Sequence, residues 1–154
     1  MPDGDLAWAE ELIAHHTRGR VVDVGCGDGR FLPAGAVGVD IDVVRLATAR
    51  GRSVLLAVAD ARGLPFRGAS FDTAYAHRML NDAAPVDLVL AGIVRILRDD
   101  GRLLVFTRAR SAEGDRLDRG NGTARLAPFF THVTRIEHPS DERSAFFVAE
   151  GPIR

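Results

Sequence analysis

The 154-residue chain has one cysteine and no lysine: all 20 of its Lys and Arg positions are arginine. A lone cysteine forms no internal disulfide and supplies no Cys-rich zinc site, as expected of a reducing compartment. Without lysine there is no P-loop, no protein-kinase phosphate lysine and no pyridoxal Schiff base. The bland source of the arginine bias is genomic base composition, since arginine keeps its charge everywhere. Net charge is also scarce, at −1, so there is no broad footprint for nucleic acid or an anionic membrane. No apolar run reaches the roughly 18 residues of a membrane-spanning helix. The N-terminal MPDGDLAWAEE is acidic where a secretory signal is basic, and the expected location is cytoplasmic.

What is present is ordinary globular material, 46% hydrophobic and 27% charged, which excludes a disordered or collagen-like chain. The length predicts one domain, 1–154, without internal repeats. Asp5 to His16 places Leu6, Ala9 and Ile13 on one helical face, with Asp5 as cap. Arg20 to Val24 is a β-branched run ending in glycines, as a buried parallel strand entering a turn is. Ala36 to Ile41 predicts a second strand, and the helix VVRLATAR, capped by Asp42, stops at Gly51. Val54 to Val58 and Ser70 to Ala76 are the next strands, and Val86 to Leu97 has helical spacing. Asp100-Gly101 then reads as a turn before a fifth strand, Arg102 to Thr107. Alternating strands and helices imply a doubly wound, mostly parallel α/β sheet. His132 to Ile136 and Ala145 to Val148 form a C-terminal antiparallel hairpin. Between them and the fifth strand, Arg108 to Arg125 has little apolar material and is expected to be a mobile loop or poorly ordered helix.

The strongest local signal is Asp23-Val-Gly25-Cys26-Gly27-Asp-Gly29. Alternate glycines let a backbone approach a ligand closely and make the tight strand-to-helix turn. The third glycine falls one residue early for a dinucleotide fingerprint, and Arg30 stands where that pattern wants glycine, which makes a nicotinamide-binding domain a minor reading. Asp23 and Asp28 flank the glycines, where they would repel a pyrophosphate and attract an ammonium or sulfonium group. Here the chain resembles the class I S-adenosylmethionine-dependent methyltransferases, whose first motif is an acidic residue followed by GxGxG. Asp40, ending the second strand, and Asp60, ending the third, continue the likeness, as do Leu64-Pro65-Phe66 before Ser70-Phe71-Asp72 and the segment Arg95 to Leu103. The resemblance covers Arg20 to Thr107 and, more loosely, the terminal hairpin. It implies a Rossmann-like methyltransferase fold with a seven-stranded sheet. Only Arg30 to Ala36 separates the glycine loop from the second strand, so the first helix is expected to shrink to about a turn. The lid is expected to be minimal, made of the segment before Asp23 and the Arg108 to Arg125 loop.

The resemblance assigns cofactor binding to Asp23, Gly25, Cys26, Gly27, Gly29, Asp40, Ile41, Asp60, Ala61 and His77. Asp40 would accept from the ribose hydroxyls and Asp60 from the adenine amino group, with the next backbone N–H on a ring nitrogen. Asp42 is read as a helix cap without a binding role. Cys26 mainly fills space. Methyl transfer from a sulfonium needs in-line placement and removal of a proton. Ligands sit beyond the carboxyl ends of parallel strands, so the acceptor should face Ala76-His77-Arg78-Met79. His77 is the candidate base and Arg78 the candidate partner for an acidic substrate group; a wall-packing His77 and a salt-bridged Arg78 are the plainer alternatives. No metal is expected: His15 and His16 point to different faces, and His132 and His138 lack an evident partner. No GxSxG elbow accompanies Ser70, and no Asp-Pro-Pro-aromatic motif follows the fourth strand. Arg108, Arg110, Arg116, Arg119 and Arg125 alternate with carboxylates, as in a self-neutralising loop or a substrate cover. The expectation is an enzyme, monomer or homodimer, that converts S-adenosylmethionine to S-adenosylhomocysteine on a small-molecule acceptor, with no nucleic acid and no membrane. The alternative is a non-catalytic or partner-dependent cofactor-binding module.

Overall fold

Along the central strands, neighbouring side chains enter two different cores. In β4 (Phe71–His77) Ala74 and Ala76 join one buried cluster and Tyr75 the other. In β5 (Leu97–Arg108) Leu103 and Val105 alternate with Leu104 and Phe106, and in β7 (Ser144–Pro152) Ala145, Phe147 and Ala149 alternate with Phe146 and Val148. A two-residue period that is apolar in both phases requires a sheet covered on both faces. The computed structural model describes residues 2–51, 55–77, 79–81, 85–108 and 116–154, the side chains of 2–5 and 81 excepted.

The sheet has seven strands in the order β3-β2-β1-β4-β5-β7-β6. β1 (Val21–Val24), β2 (Val37–Asp40) and β3 (Leu55–Val58) run parallel and step outward, and β4 and β5 continue parallel from the other side of β1. β7 enters antiparallel between β5 and β6 (Phe130–Glu137). The expected doubly wound sheet with its antiparallel hairpin is therefore the observed one. Strand order reverses between β1 and β4, which opens a crevice at their carboxyl ends.

Helices on opposite faces close the cores. α3 (Val86–Ile96) puts Val86, Val89, Leu90 and Ile93 into one. α1 (Pro2–His16) puts Ala9 and Ile13 into the other, with Trp8 edge-on to Phe106 at 6.1 Å and Phe146 at 6.2 Å. α2 (Val43–Ala49) follows β2; the Asp42 carboxylate caps it by accepting from the N–H groups of Val44 and Arg45 at 3.0 and 3.2 Å.

Four expectations change. α1 begins at Pro2, so Asp5 lies inside it and is no cap; proline is accommodated in a first turn because its missing N–H has no helical acceptor there. Between β1 and β2 there is no helix at all. Successive turns, Gly29 N–H to Cys26 O, Leu32 N–H to Gly29 O and Ala36 N–H to Pro33 O, carry the chain instead. Asp100-Gly101 does not separate α3 from a fifth strand: β5 starts at Leu97, opposite Phe71, and Arg102 is the partner of Thr73, so residues 98–101 bulge out of register. The described part of the Arg108 to Arg125 segment is anchored. Leu117 and Leu126 are fully buried, the Asp118 carboxylate accepts from Gly120 and Asn121 N–H, and residues 122–126 form α4 (Gly122–Leu126). Two leucines suffice to seat it, which a count of apolar residues understates; residues 109–115, Arg110 among them, lie outside the described residues.

Gly122 shows how tightly α4 is seated. A Cβ there would lie 2.4 Å from Cζ of the fully buried Phe147. Gly122→Ala should therefore destabilise the fold by about 1–3 kcal/mol through overpacking, read as a lower urea midpoint with an unchanged m-value.

Candidate functional site

The crevice at the carboxyl ends of β1, β2 and β4 holds a cavity of about 590 Å³. Its walls include Asp23, Gly25, Cys26, Asp40, Ile41, Asp60, Ala61 and His77, eight of the residues singled out from sequence. Gly27 and Gly29 shape the loop beneath without lining it.

The loop's amides decide what charge the cavity accepts. The Val39 carbonyl accepts from Gly25 N–H at 2.7 Å and Cys26 N–H at 3.0 Å, and Gly29 N–H donates to the Cys26 carbonyl at 3.0 Å. Gly27 N–H donates to Oδ2 of Asp40 at 2.8 Å. Four amides are thus committed to the protein, whereas a phosphate cradle must aim such groups at its anion. Glycine is needed at two of these positions. Gly25 has φ 77° and a Cβ there would meet Met79 Cβ at 2.8 Å; Gly27 has φ 56° and a Cβ would meet an Arg45 guanidinium nitrogen at 2.6 Å.

The carboxylates complete the picture. Asp23 is 2% exposed, and its Oδ1 is buried without a hydrogen-bond partner among the described residues. Burial, and then the nearby Asp40 carboxylate, push its pKa up to about 7. Such a group is satisfied best by a cationic donor. Asp40 accepts from Asp42 N–H at 2.8 Å through Oδ1 as well as from Gly27 through Oδ2, and each oxygen keeps capacity for a ligand hydroxyl. Asp60 lies two residues past the end of β3 rather than at it. Arg62 holds it through its side chain, at 2.6 Å from Oδ2, and its backbone N–H, and these bonds pull the carboxyl pKa down to about 2. Burial, with Asp23 and Asp40 nearby, pushes the Cys26 thiol up to about 12, so it stays protonated. Its Sγ lies 2.7 Å from where a Cβ on Gly38 would be, in accord with a space-filling role.

His77 ends β4 between two aromatic rings, Phe31 at 4.2 Å and Phe106 at 4.8 Å, the latter stacked at 10°. Packing thus fixes the imidazole plane at the cavity wall. Arg78 lies outside the described residues. No residue of 116–125 lines the cavity, so the described part of the expected substrate cover stands elsewhere: Arg119 pairs with Glu137 at 3.1 Å and its carbonyl accepts from Arg135. His138 does have partners. Its Nδ1 accepts from Ser140 and Asp141 N–H at 3.1 and 2.9 Å, and its ring packs on Trp8. Among the described residues no cluster of three or more His, Cys, Asp or Glu is placed to hold a metal, and no helix is long and apolar enough to cross a membrane.

Sequence reasoning missed Arg30, Phe31 and Arg45 as cavity residues, whereas Met79, expected to face the acceptor, does line it. Arg45 left a signal: a side chain in the first turn of a helix leans toward the N-terminus, here toward the sheet's carboxyl end. Arg30, paired with Glu10 of α1 at 3.3 Å, and Phe31 left none, because only the collapsed β1–β2 connection brings them inward.

Residues 22–105, more than half of the chain, match the family described as Methyltransferase domain. An uncharacterised protein of Methanocaldococcus jannaschii is 35% identical over 92 residues, 58% of this chain and 36% of that protein. A tRNA (carboxymethyluridine(34)-5-O)-methyltransferase of Xenopus tropicalis is 29% identical over 111 residues, 67% of this chain and 18% of that protein. The chain spans less than half the length of the curated relatives it matches. Among solved structures, an S-adenosylmethionine-dependent methyltransferase from Thermotoga maritima has a TM-score of 0.82 at 19% identity, covering 96% of this chain and 88% of that one. A putative methyltransferase in complex with the Trm112 methyltransferase activator from Haloferax volcanii has a TM-score of 0.74 at 17% identity, covering 99% and 97%. The chain belongs to the methyltransferase domain family, whose methyl donor is S-adenosylmethionine and whose coproduct is S-adenosylhomocysteine. The cavity fits that donor: an unpartnered buried carboxylate oxygen, a strand-end carboxylate with acceptor capacity and inward-turned loop amides suit a cationic, hydroxyl-bearing ligand.

The raised pKa of Asp23 makes stability depend on pH. The folded chain retains a proton that the unfolded chain releases above pH 3.8, so this stabilisation is complete below that value and is lost as pH rises through about 7. Asp23→Asn should abolish this contribution to the dependence and exceed the parent above pH 7 by on the order of 4 kcal/mol, measured by urea unfolding from pH 4 to 8. The same variant should weaken binding of S-adenosylhomocysteine, whose ammonium group loses its carboxylate.

Proposed function

We propose that the chain transfers a methyl group from S-adenosylmethionine to a small neutral or anionic metabolite, acting in the cytoplasm as a monomer or homodimer. When bound, that donor supplies a methyl group already activated on sulfonium. The observation that carries the reading is the pairing of inward-committed loop amides with the unpartnered Oδ1 of buried Asp23, which selects for a cation where nucleotide sites select for an anion. Asp23 would take the ammonium group and Asp40 the ribose hydroxyls, with Gly25, Cys26, Gly27 and Gly29 forming the floor. Ile41 and Ala61 would flank the base, and Asp60 would share its carboxylate between the adenine amino group and Arg62. His77, its plane held by Phe31 and Phe106, faces the acceptor and removes its proton. Arg78, next in sequence, would pair with an acidic group of the acceptor.

Charge pairing supports a small acceptor over RNA. Arg30, Arg62, Arg98, Arg102, Arg119, Arg135, Arg143 and Arg154 each have a carboxylate partner within 4 Å, so eight of the 20 arginines have their charge offset locally. A lone buried thiol suits a reducing cytoplasm. A second reading, a partner-dependent or non-catalytic module, is favoured by the missing helix between β1 and β2, and by the neighbouring fold that occurs with an activator.

Methyl-labelled donor, incubated with the chain and a cell extract fractionated by size, should label small molecules. Label confined to RNA or protein would overturn that acceptor class, and turnover only after a second protein is added would favour the partner-dependent reading. His77→Ala should lower kcat by about 10²-fold or more with donor affinity preserved, and full activity would leave positioning alone as the mechanism. In calorimetry Asp40→Ala should weaken donor binding by more than about tenfold, the loss of a charge-assisted hydrogen bond.

A further inference from the structure

The methionyl end of the donor carries an ammonium and a carboxylate on one carbon, and the residues assigned above meet only the ammonium. Asp23 takes that group on the reading just given, on which this inference rests. The carboxylate cannot sit on the glycine loop as a nucleotide phosphate would. Gly25 and Cys26 N–H donate to the Val39 carbonyl, Gly29 N–H to the Cys26 carbonyl and Gly27 N–H to Asp40, so these amides are already committed. In a cavity walled by Asp23, Asp28, Asp40 and Asp60, a further carboxylate needs a cation beside it.

Among the described residues two arginines line the cavity, Arg30 and Arg45. They flank β1 from opposite sides. Arg45 belongs to α2, and its guanidinium lies against Gly27, whose N–H is bonded to Asp40; it therefore stands on the β2 side, with the carboxylate assigned to the ribose. Arg30 lies over the Phe31 ring, 5.8 Å from its centroid, and that ring packs at 4.2 Å on His77. His77 is two residues beyond Tyr75, the β4 partner of Asp23. Arg30 is thus the cation on the β1–β4 side, where the methionyl end belongs.

Glu10 of α1 steadies this side chain without exhausting it. Its Oε1 lies 3.3 Å from Arg30 Nε, both side chains are about half exposed, and no acceptor among the described residues meets the Arg30 Nη groups. A guanidinium has five N–H donors in a planar fork, so a second carboxylate can be taken while Glu10 stays. We propose that Arg30 receives the carboxylate of the donor's methionyl end on its Nη groups, with Glu10 holding Nε. Asp23 and Arg30 together then recognise the donor as an α-amino acid, the ammonium at the buried carboxyl group and the carboxylate at the half-exposed guanidinium.

The probes are S-adenosylhomocysteine and its decarboxylated analogue, which keeps the ammonium and lacks the carboxylate, each titrated into the full chain by calorimetry. The parent should prefer S-adenosylhomocysteine by about tenfold, the effect of one charge-assisted contact at a half-exposed site. Arg30→Met keeps an apolar stem on Phe31 and removes the charge. It should bring the two ligands to within about twofold of each other, with affinity for the decarboxylated analogue within about twofold of the parent's, which also shows the cavity to be intact. Arg45→Met should keep the preference. A parent without preference would overturn the proposal, as would a preference undiminished in Arg30→Met or abolished in Arg45→Met. Asp23→Asn should weaken both ligands alike, since both carry the ammonium. If neither weakens, the ammonium assignment fails, whereas a preference kept in Arg30→Met overturns this inference alone.

Discussion

Two hydrogen bonds to one acceptor, from Gly25 and Cys26 N–H to the Val39 carbonyl, join the end of β1 to the end of β2 and orient everything above them. They fold the glycine loop down onto its neighbouring strand. The next amide, Gly27 N–H, then meets Asp40 at 2.8 Å, which fixes the second carboxylate of the site. Without this tie the loop amides would be free to point into the cavity, and an anion would be the favoured guest. With it, the cavity floor is quiet and its walls carry negative charge.

That inward turn also explains the cost carried by Asp23. The residue sits on a central strand flanked by β2 and β4, where both neighbours exclude water. A carboxyl group so placed is held near neutrality by burial and by Asp40, and its unpartnered oxygen is a local deficit of the free chain. Asp60, at the rim, has the opposite history: solvent and Arg62 keep it ionised. Two aspartates, one inside β1 and one two residues past β3, thus differ in acidity because one is enclosed by the sheet and the other is not.

Elsewhere arginine does structural work suited to its planar fork. Arg98 bridges to Asp72, whose carboxylate also accepts from Arg20 N–H at 2.7 Å, tying the β5 bulge to the entry of β1. Arg95 donates to the carbonyls of Leu64 and Phe66, and Arg154 to those of Val94 and Leu97, fastening loop and C-terminus to α3. A lysine ammonium has no matching fork for two carbonyls at once.

Much of this was legible in the sequence, because two patterns speak locally. Period-two apolar runs and a capped helical period fix which segments are strands and helices, and Asp23, Asp40 and Asp60 fall within, at and just past the ends of successive strands. The alternating glycines announce a close backbone approach. Tertiary structure decided the rest. The partners of the loop amides depend on where β2 lies, and only the folded chain shows them turned inward. Whether Asp60 meets Arg62, and whether His77 is gripped by Phe31 and Phe106, depends on side chains far apart in sequence or on rotamers no periodicity encodes. The β1–β2 connection lost its helix because Pro33 and the short span leave room only for turns, and this brought Arg30 and Phe31 to the cavity. Leu117 and Leu126 were single apolar residues in a polar stretch, and only the folded chain shows them in the same buried cluster as Phe147, against which Gly122 packs. Local chemistry chose the elements and the site's carboxylates; long-range contacts set which groups stay charged and which remain open to a ligand.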